Sequence, residues 1–285
     1  MEMPVQRFVL RCPHTLSLRR TAMSHGWVGL APWRWEEEKG RLGRTEPLPS
    51  GARARIEATQ KTPRSFLVTV DGRGLGPADL EWAGATVGRW LSIDWDPEPA
   101  IAVASRLDPA IATLIREGGG RFLRGSTFYE DFAKTMCTIQ IAWSGTKRMV
   151  ASLVDQVGDG LFPTPRNMLD AGEAALRGNA RLGFRAPQLL EATEELLKRG
   201  LMDESGLGAE GLITYEELIR LRGIGPYAGS HIAMLLHDFS RIPVDSSVSR
   251  IFRERHGLAP EEIAGFFDRW GEYRVLGYML MHPPG

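Results

Sequence analysis

Near residue 95 the chain changes its hydrophobic period, and that change limits the folds open to it. Before it, apolar residues come in short runs over residues 5–10, 15–20, 26–30 and 65–70, alternating or β-branched and broken by Gly and Pro. Residues 36–44 are charged and read as a hairpin tip. Residues 77–91 switch to helical spacing, with Leu80, Ala83, Val87, Trp90 and Leu91 on one face. Residues 94–99 read as a boundary. Beyond it the helical period dominates, over 101–107, 109–117, 128–141 and 146–157. A further helix starts at Thr164-Pro165, another over 187–199 stops at Gly200, and Thr214 with Glu217 forms a capping box. The expectation is an α+β fold: an antiparallel β-rich N-terminal domain over 1–99, then an all-helical body over 100–285.

Composition removes several classes of function. Cys12 and Cys137 are the only cysteines, which excludes a cysteine-held zinc site or iron–sulfur cluster. Two buried thiols in a reducing compartment are expected. No apolar run approaches the roughly 18 residues that cross a bilayer, and residues 1–11 lack the apolar stretch of a secretory signal. A cytoplasmic protein with no membrane contact is expected. Lys plus Arg and Asp plus Glu both total 35, a balance that argues against non-specific coating of nucleic acid. A local basic face remains open.

Leu221-Arg222-Gly223-Ile224-Gly225-Pro226 lies between an amphipathic helix over 215–221 and an apolar one over 227–236. Glycines permit positive φ and close approach of another backbone. Amides freed at the second helix's N-terminus can point at a phosphate, aided by the helix dipole. Taken alone, the same residues make an ordinary turn between two helices.

Pro243-Val244-Asp245, its Asp nineteen residues after Pro226, leads into Ser246-Ser247-Val248-Ser249-Arg250. Upstream stand Leu161-Phe162-Pro163-Thr164-Pro165 and Leu182-Gly183-Phe184-Arg185-Ala186, and downstream Trp270-Gly271-Glu272-Tyr273-Arg274. In this order and spacing the motifs resemble the helix-hairpin-helix (HhH-GPD) DNA glycosylase superfamily, from about Arg121 to Tyr278. The resemblance implies a helical glycosylase body with its hairpin over 215–236, acting in base excision repair on double-stranded DNA that contains a damaged base. It further implies a monomer on nucleoid DNA. No cofactor is required, though a K+ or Na+ ion at the carbonyls of Ile219, Leu221 and Ile224 is implied.

Asp245 is the candidate catalytic group. Breaking an N-glycosidic bond develops positive charge on the sugar, and a carboxylate beneath it can stabilise that charge and orient a water. Placed just before a helix, Asp245 also reads as a simple N-cap, and the two roles are compatible. Tyr227 stands where strand-cutting relatives carry a Schiff-base lysine, so the resemblance implies hydrolysis without lyase chemistry. His231, one turn on, is expected to line the base pocket with it. DNA contacts are expected at Gly223, Gly225, Arg222 and Ser247. Gln140 and Ile141 are expected to fill the gap left by a flipped base, and Phe184 and Arg185 to meet the opposite strand.

The damaged base stays open. Trp270 to Arg274 and the aromatic in place of lysine resemble 3-methyladenine DNA glycosylase II, and favour alkylated purines. Trp33-Arg34-Trp35 and Leu182-Gly183-Phe184-Arg185-Ala186 resemble 8-oxoguanine DNA glycosylase, and favour oxidised or deaminated purines. A non-catalytic helix-hairpin-helix DNA-binding protein and a helical scaffold unrelated to DNA are the readings from other classes.

Overall fold

A computed structural model describes residues 5–209 and 211–281, apart from the side chain of Ser247. The expected α+β architecture is present. Five strands, β1 (Val5–Arg11), β2 (Arg34–Glu36), β3 (Arg41–Pro47), β4 (Arg53–Thr62) and β5 (Ser65–Gly72), form one antiparallel sheet in the order β1-β5-β4-β3-β2. The pleat sends alternate side chains inward, so Phe66, Val68 and Val70 of β5 and Ala54, Ile56 and Ala58 of β4 are buried. On β3 the inward positions are Leu42, Arg44 and Glu46. Two charges on an inner face require partners, and the helical body supplies them.

Two expected strands are absent. Residues 15–20 hold Leu16 and Leu18 in alternation, but Ser17 accepts the Arg20 amide and caps the short helix α1 (Leu18–Ala22). Residues 26–30 form one turn of 3-10 helix, entered through Gly26 at φ 93. Helices α2 (Pro77–Trp90), α3 (Glu98–Leu107) and α4 (Pro109–Arg116) follow the expected pattern. The next helix, α5 (Phe128–Met136), is shorter than the expected 128–141, and all nine of its residues are buried.

Helices α6 (Trp143–Gln156), α7 (Pro165–Gly178) and α8 (Arg185–Lys198) continue the body. The expected Thr164 cap is a reciprocal box, in which the Thr164 hydroxyl accepts the Asn167 amide and Asn167 Oδ1 accepts that of Thr164. The helix expected over 215–221 is a single turn, α9 (Tyr215–Leu218), followed by α10 (Pro226–Leu235) and α11 (Ser246–His256). Short α12 (Ile263–Phe266) and α13 (Arg274–Met281) complete the described residues. No helix among them is long and apolar enough to cross a membrane. Cys12 and Cys137 are both buried and free.

One hydrophobic core runs from the sheet into the helices. A buried ionic cluster ties the two parts. Arg44 Nε lies 2.6 Å from Glu46 and Arg44 Nη1 donates to Glu130 at 2.5 Å, while Lys134 donates to the same Glu130 oxygen at 2.6 Å. Next to it, Asp131 accepts Trp27 Nε1 at 3.0 Å and Arg89 at 2.8 Å. Such a cluster costs desolvation and adds little net stability. Removing Glu130 would leave Arg44 and Lys134 without their shared carboxylate, so the cluster fixes the sheet's position on α5.

Candidate active site

Asp245 is the N-cap of α11. Its Oδ1 accepts the Val248 amide at 2.8 Å, and its carbonyl accepts the Ser249 hydroxyl at 2.8 Å. The cap fixes the carboxylate's orientation. It opens onto a pocket of about 490 Å³ whose walls include Tyr227 and His231 on α10, Ile141 before α6, and Tyr278 on α13. The three residues expected from the sequence to serve the base therefore meet in one cavity with the wedge candidate.

The segment that follows α1 supplies a wall that the sequence reading missed. His25 and Trp27 reach the same pocket, with Trp27 4.8 Å from the His25 ring and 4.9 Å from that of His231. Their signal was a Gly26 between two aromatic rings, hidden because residues 26–30 read as a strand. Trp143, 41% exposed at the pocket rim, was also missed. Its ring packs on the backbone at Gly26, where a Cβ would stand 3.2 Å from it, so that closeness as well as φ calls for glycine.

The pocket's histidines and tyrosines are held uncharged. Burial pushes His231 down to about 4 and Tyr278 up to about 12. His25 falls well below its ordinary value through burial, with His231 and Lys134 adding to the effect. Burial also raises the Tyr227 phenol. Asp245 stands among aromatic and neutral groups.

At the hairpin the two glycines have different roles. Gly223 has φ 86, and a Cβ there would stand 2.8 Å from Gln188. Gly225, for which positive φ was considered, is extended at φ −95 and ψ −177 and has open space where a Cβ would project. It caps α10 ahead of Pro226, leaving the helix's first amides without an upstream partner. Leu221 accepts the Ile224 amide at 3.1 Å, so one of the three carbonyls expected to meet a cation is engaged within the turn. Arg222 is ion-paired with Glu191.

The loop of Gln140 and Ile141 is exposed, with Gln140 at φ 49 and Ile141 40% exposed against Gly145. Arg185 does not reach outward as expected. It is 4% exposed, donating to the carbonyls of Ile139, Gln140 and Leu182. Ordering that loop is its role, because the Ile139 and Gln140 carbonyls need a buried donor. Phe184 is 44% exposed with the Arg185 guanidinium over its ring. The side chain of Ser247 lies outside the described residues.

Two of the runs that weigh on the substrate, Trp33 to Trp35 and Trp270 to Arg274, lie away from the pocket. Trp33 is buried edge-on against Trp90, with Arg44 over its ring. Trp270 is buried against Gly277, and Arg274 donates to Ser240 and Asp268. These runs serve packing and carry no information on the base.

No protein-family model matches the chain, and no curated protein matches it. Among solved structures, it is similar to a 3-methyladenine DNA glycosylase from Archaeoglobus fulgidus, at 19% identity and TM-score 0.70 over 96% of this chain and 97% of that one. It is also similar to the Clostridium acetobutylicum 8-oxoguanine glycosylase/lyase in its apo-form, at 15% identity and TM-score 0.67 over 98% and 96%. The same enzyme with double-stranded DNA containing cytosine opposite 8-oxoguanine gives 15% and 0.64 over 100% of both chains. The chain therefore shares the fold of these solved structures, and in it a five-stranded antiparallel sheet precedes a helical body.

Proposed function

We propose that the chain is a DNA glycosylase that hydrolyses the N-glycosidic bond of a damaged purine turned out of duplex DNA. The observation that carries this reading is the convergence on one pocket of Asp245 from the cap of α11, Tyr227 and His231 from α10, the helix that follows Gly225, and the exposed Ile141. The bond between sugar and base breaks with its electron pair leaving on the base. Water adds to the sugar carbon and gives up a proton, and an abasic site and the free base result. Asp245 stabilises the positive charge that passes through the sugar. Ile141 fills the space vacated in the stack, and the first amides of α10 hold a phosphate beside Gly225. A K+ or Na+ ion at the carbonyls of Ile219, Leu221 and Ile224 would help to hold that phosphate. The enzyme acts as a monomer.

The base class proposed is an alkylated purine, because a cationic base stacks well on electron-rich rings such as Trp27 and Trp143. Duplexes bearing 3-methyladenine, 1,N6-ethenoadenine, hypoxanthine and 8-oxoguanine, treated with alkali after incubation, test both the activity and the class. Strong preference for 8-oxoguanine would replace this class with oxidised purines. Binding without release of any base would leave a DNA-binding protein.

Hydrolysis without strand cutting is proposed because no lysine lines the pocket among the described residues. Lys134 is buried against Glu130, and Lys147 packs at Gly29 next to Trp143. Product strands should stay intact until alkali or heat is applied, and borohydride should trap no protein–DNA adduct. A trapped adduct would overturn this part, and Lys147 would be the first lysine to replace.

A further inference from the structure

Residues 137–142 join α5 to α6, and buried side chains hold that loop. At its base the Thr146 hydroxyl donates to the Cys137 carbonyl at 3.0 Å. At its tip Arg185 Nε donates to the Ile139 carbonyl at 2.9 Å, and Nη2 to that of Gln140 at 3.2 Å. Gln140 has φ 49, a left-handed backbone that a residue with a Cβ keeps only where its surroundings impose it. Nη1 of the same guanidinium donates to the Leu182 carbonyl at 3.4 Å. Leu182 belongs to a second turn, left-handed at both Arg181 (φ 60) and Gly183 (φ 57).

One buried cation thus joins two turns that are distant in the chain. Each turn presents a large apolar side chain to solvent: Ile141 is 40% exposed and Phe184 44%. Ile141 is backed by Gly145, where a Cβ would stand 2.5 Å from it. Phe184 is backed by Arg185 itself, whose guanidinium carbon is 4.4 Å from the ring centre. Apolar side chains held out in water gain from burial. The base faces uncovered where a nucleotide leaves the stack offer that burial. A lysine at 185 could not hold this arrangement, because one ammonium lacks the rigid fork of donors that meets several carbonyls at once.

We propose that Arg185 is a positioning residue for base extrusion, joining the two turns so that Ile141 and Phe184 enter the duplex together as prongs of fixed spacing. Arg185 is buried and does not itself reach DNA. Taking a base out of the stack costs free energy, which the prongs offset by replacing the lost stacking. Side chains on two independent, unfixed turns would have to be ordered at that moment, and the extruded state would be rarer. Given the glycosylase reading of the pocket, on which this role rests, loss of Arg185 impairs opening of the stack and spares bond cleavage at Asp245.

Two substrates separate these steps. One is a fully paired duplex bearing whichever damaged base the wild type releases fastest; the other carries the same lesion as a single-nucleotide bulge, already out of pairing. Arg185→Lys keeps the charge and removes the fork. Its single-turnover release should fall about tenfold or more from the paired duplex and less than about threefold from the bulge. The fluorescence rise of a 2-aminopurine next to the paired lesion, which reports opening of the stack, should weaken with it. A buried arginine also carries stability, so melting is measured and a second pair of variants works at the exposed loop. Gln140→Val and Gln140→Gly both remove the amide, but only glycine keeps a left-handed backbone without strain. Gln140→Val should lose more paired-duplex release than Gln140→Gly and again spare the bulge; should Arg185→Lys fail to fold, this pair decides. Equal loss from both substrates in a folded Arg185→Lys protein, or Gln140→Val matching Gln140→Gly, overturns the role of Arg185 and leaves the glycosylase reading standing. A wild-type protein that releases no damaged base from any duplex overturns both.

Discussion

Asp245 combines a structural and a chemical duty, and a single substitution separates them. Asn caps a helix as well as Asp does, so Asp245→Asn keeps an oxygen for the Val248 amide and removes only the charge. Melting should change little. The single-turnover rate of base release should fall by roughly 100-fold or more, because the anion acts mainly in the transition state. Affinity for duplex DNA should hold or rise, since a negative charge near phosphates has gone. Near-normal excision by the variant would reduce Asp245 to a helix cap.

The hairpin offers a comparison between two glycines of one element. Gly225→Gln meets open space and an extended backbone, so the protein should melt close to wild type. A bulky side chain before α10 should nevertheless obstruct the approach of a phosphate, weakening binding to every duplex sequence alike. Gly223→Gln should do the opposite, lowering stability first, since φ 86 and Gln188 leave no room for a side chain. Normal duplex binding by a folded Gly225→Gln protein would make the hairpin only a turn. At this scale the chain was legible wherever local chemistry decides the outcome: Thr164 capping, Pro226 starting α10, Asp245 before α11. Strands β3 and β4 were not. Arg44 and Glu46 put charges at inward positions, and Ala54 and Ala58 give the alternation little amplitude. Arg185 misled for a related reason, because a loop arginine looks the same whether it reaches phosphate or feeds carbonyls buried far away in sequence. His25 and Trp27 became visible only when the fold brought residues about two hundred positions apart together.

Across the whole molecule, buried ionisable groups couple stability to pH with opposing signs. His25, His231 and His237 are neutral when folded; burial brings His231 to about 4 and His237 to about 3, and depresses His25 well below its ordinary value. The unfolded chain binds protons on them near pH 6.5, so their contribution is full above that pH and is lost as pH falls toward 4. Glu46 works the other way. Burial raises it to about 7 despite Arg44, so between about pH 4.5 and 7 the folded protein holds a proton that the unfolded chain lacks. That opposes the histidines, so the acid-side fall in stability is shallower than the histidines alone would give. Glu130 enters only lower: burial pushes it up, but Arg44 and Lys134 outweigh burial and bring it to about 2, so its contribution is lost as pH falls below about 4.5. Glu46→Gln keeps a group able to accept the Ser126 hydroxyl and removes the compensating proton. Urea denaturation from pH 4.5 to 8 should then show a steeper acid-side fall for the variant. Above pH 7 the Glu46→Gln protein should match or exceed wild type in stability, since it no longer has to bury an ionised carboxylate. A slope unchanged by Glu46→Gln would mean that Glu46 stays ionised throughout, its charge fully met by Arg44, and that the joint between sheet and helices does not titrate in this range.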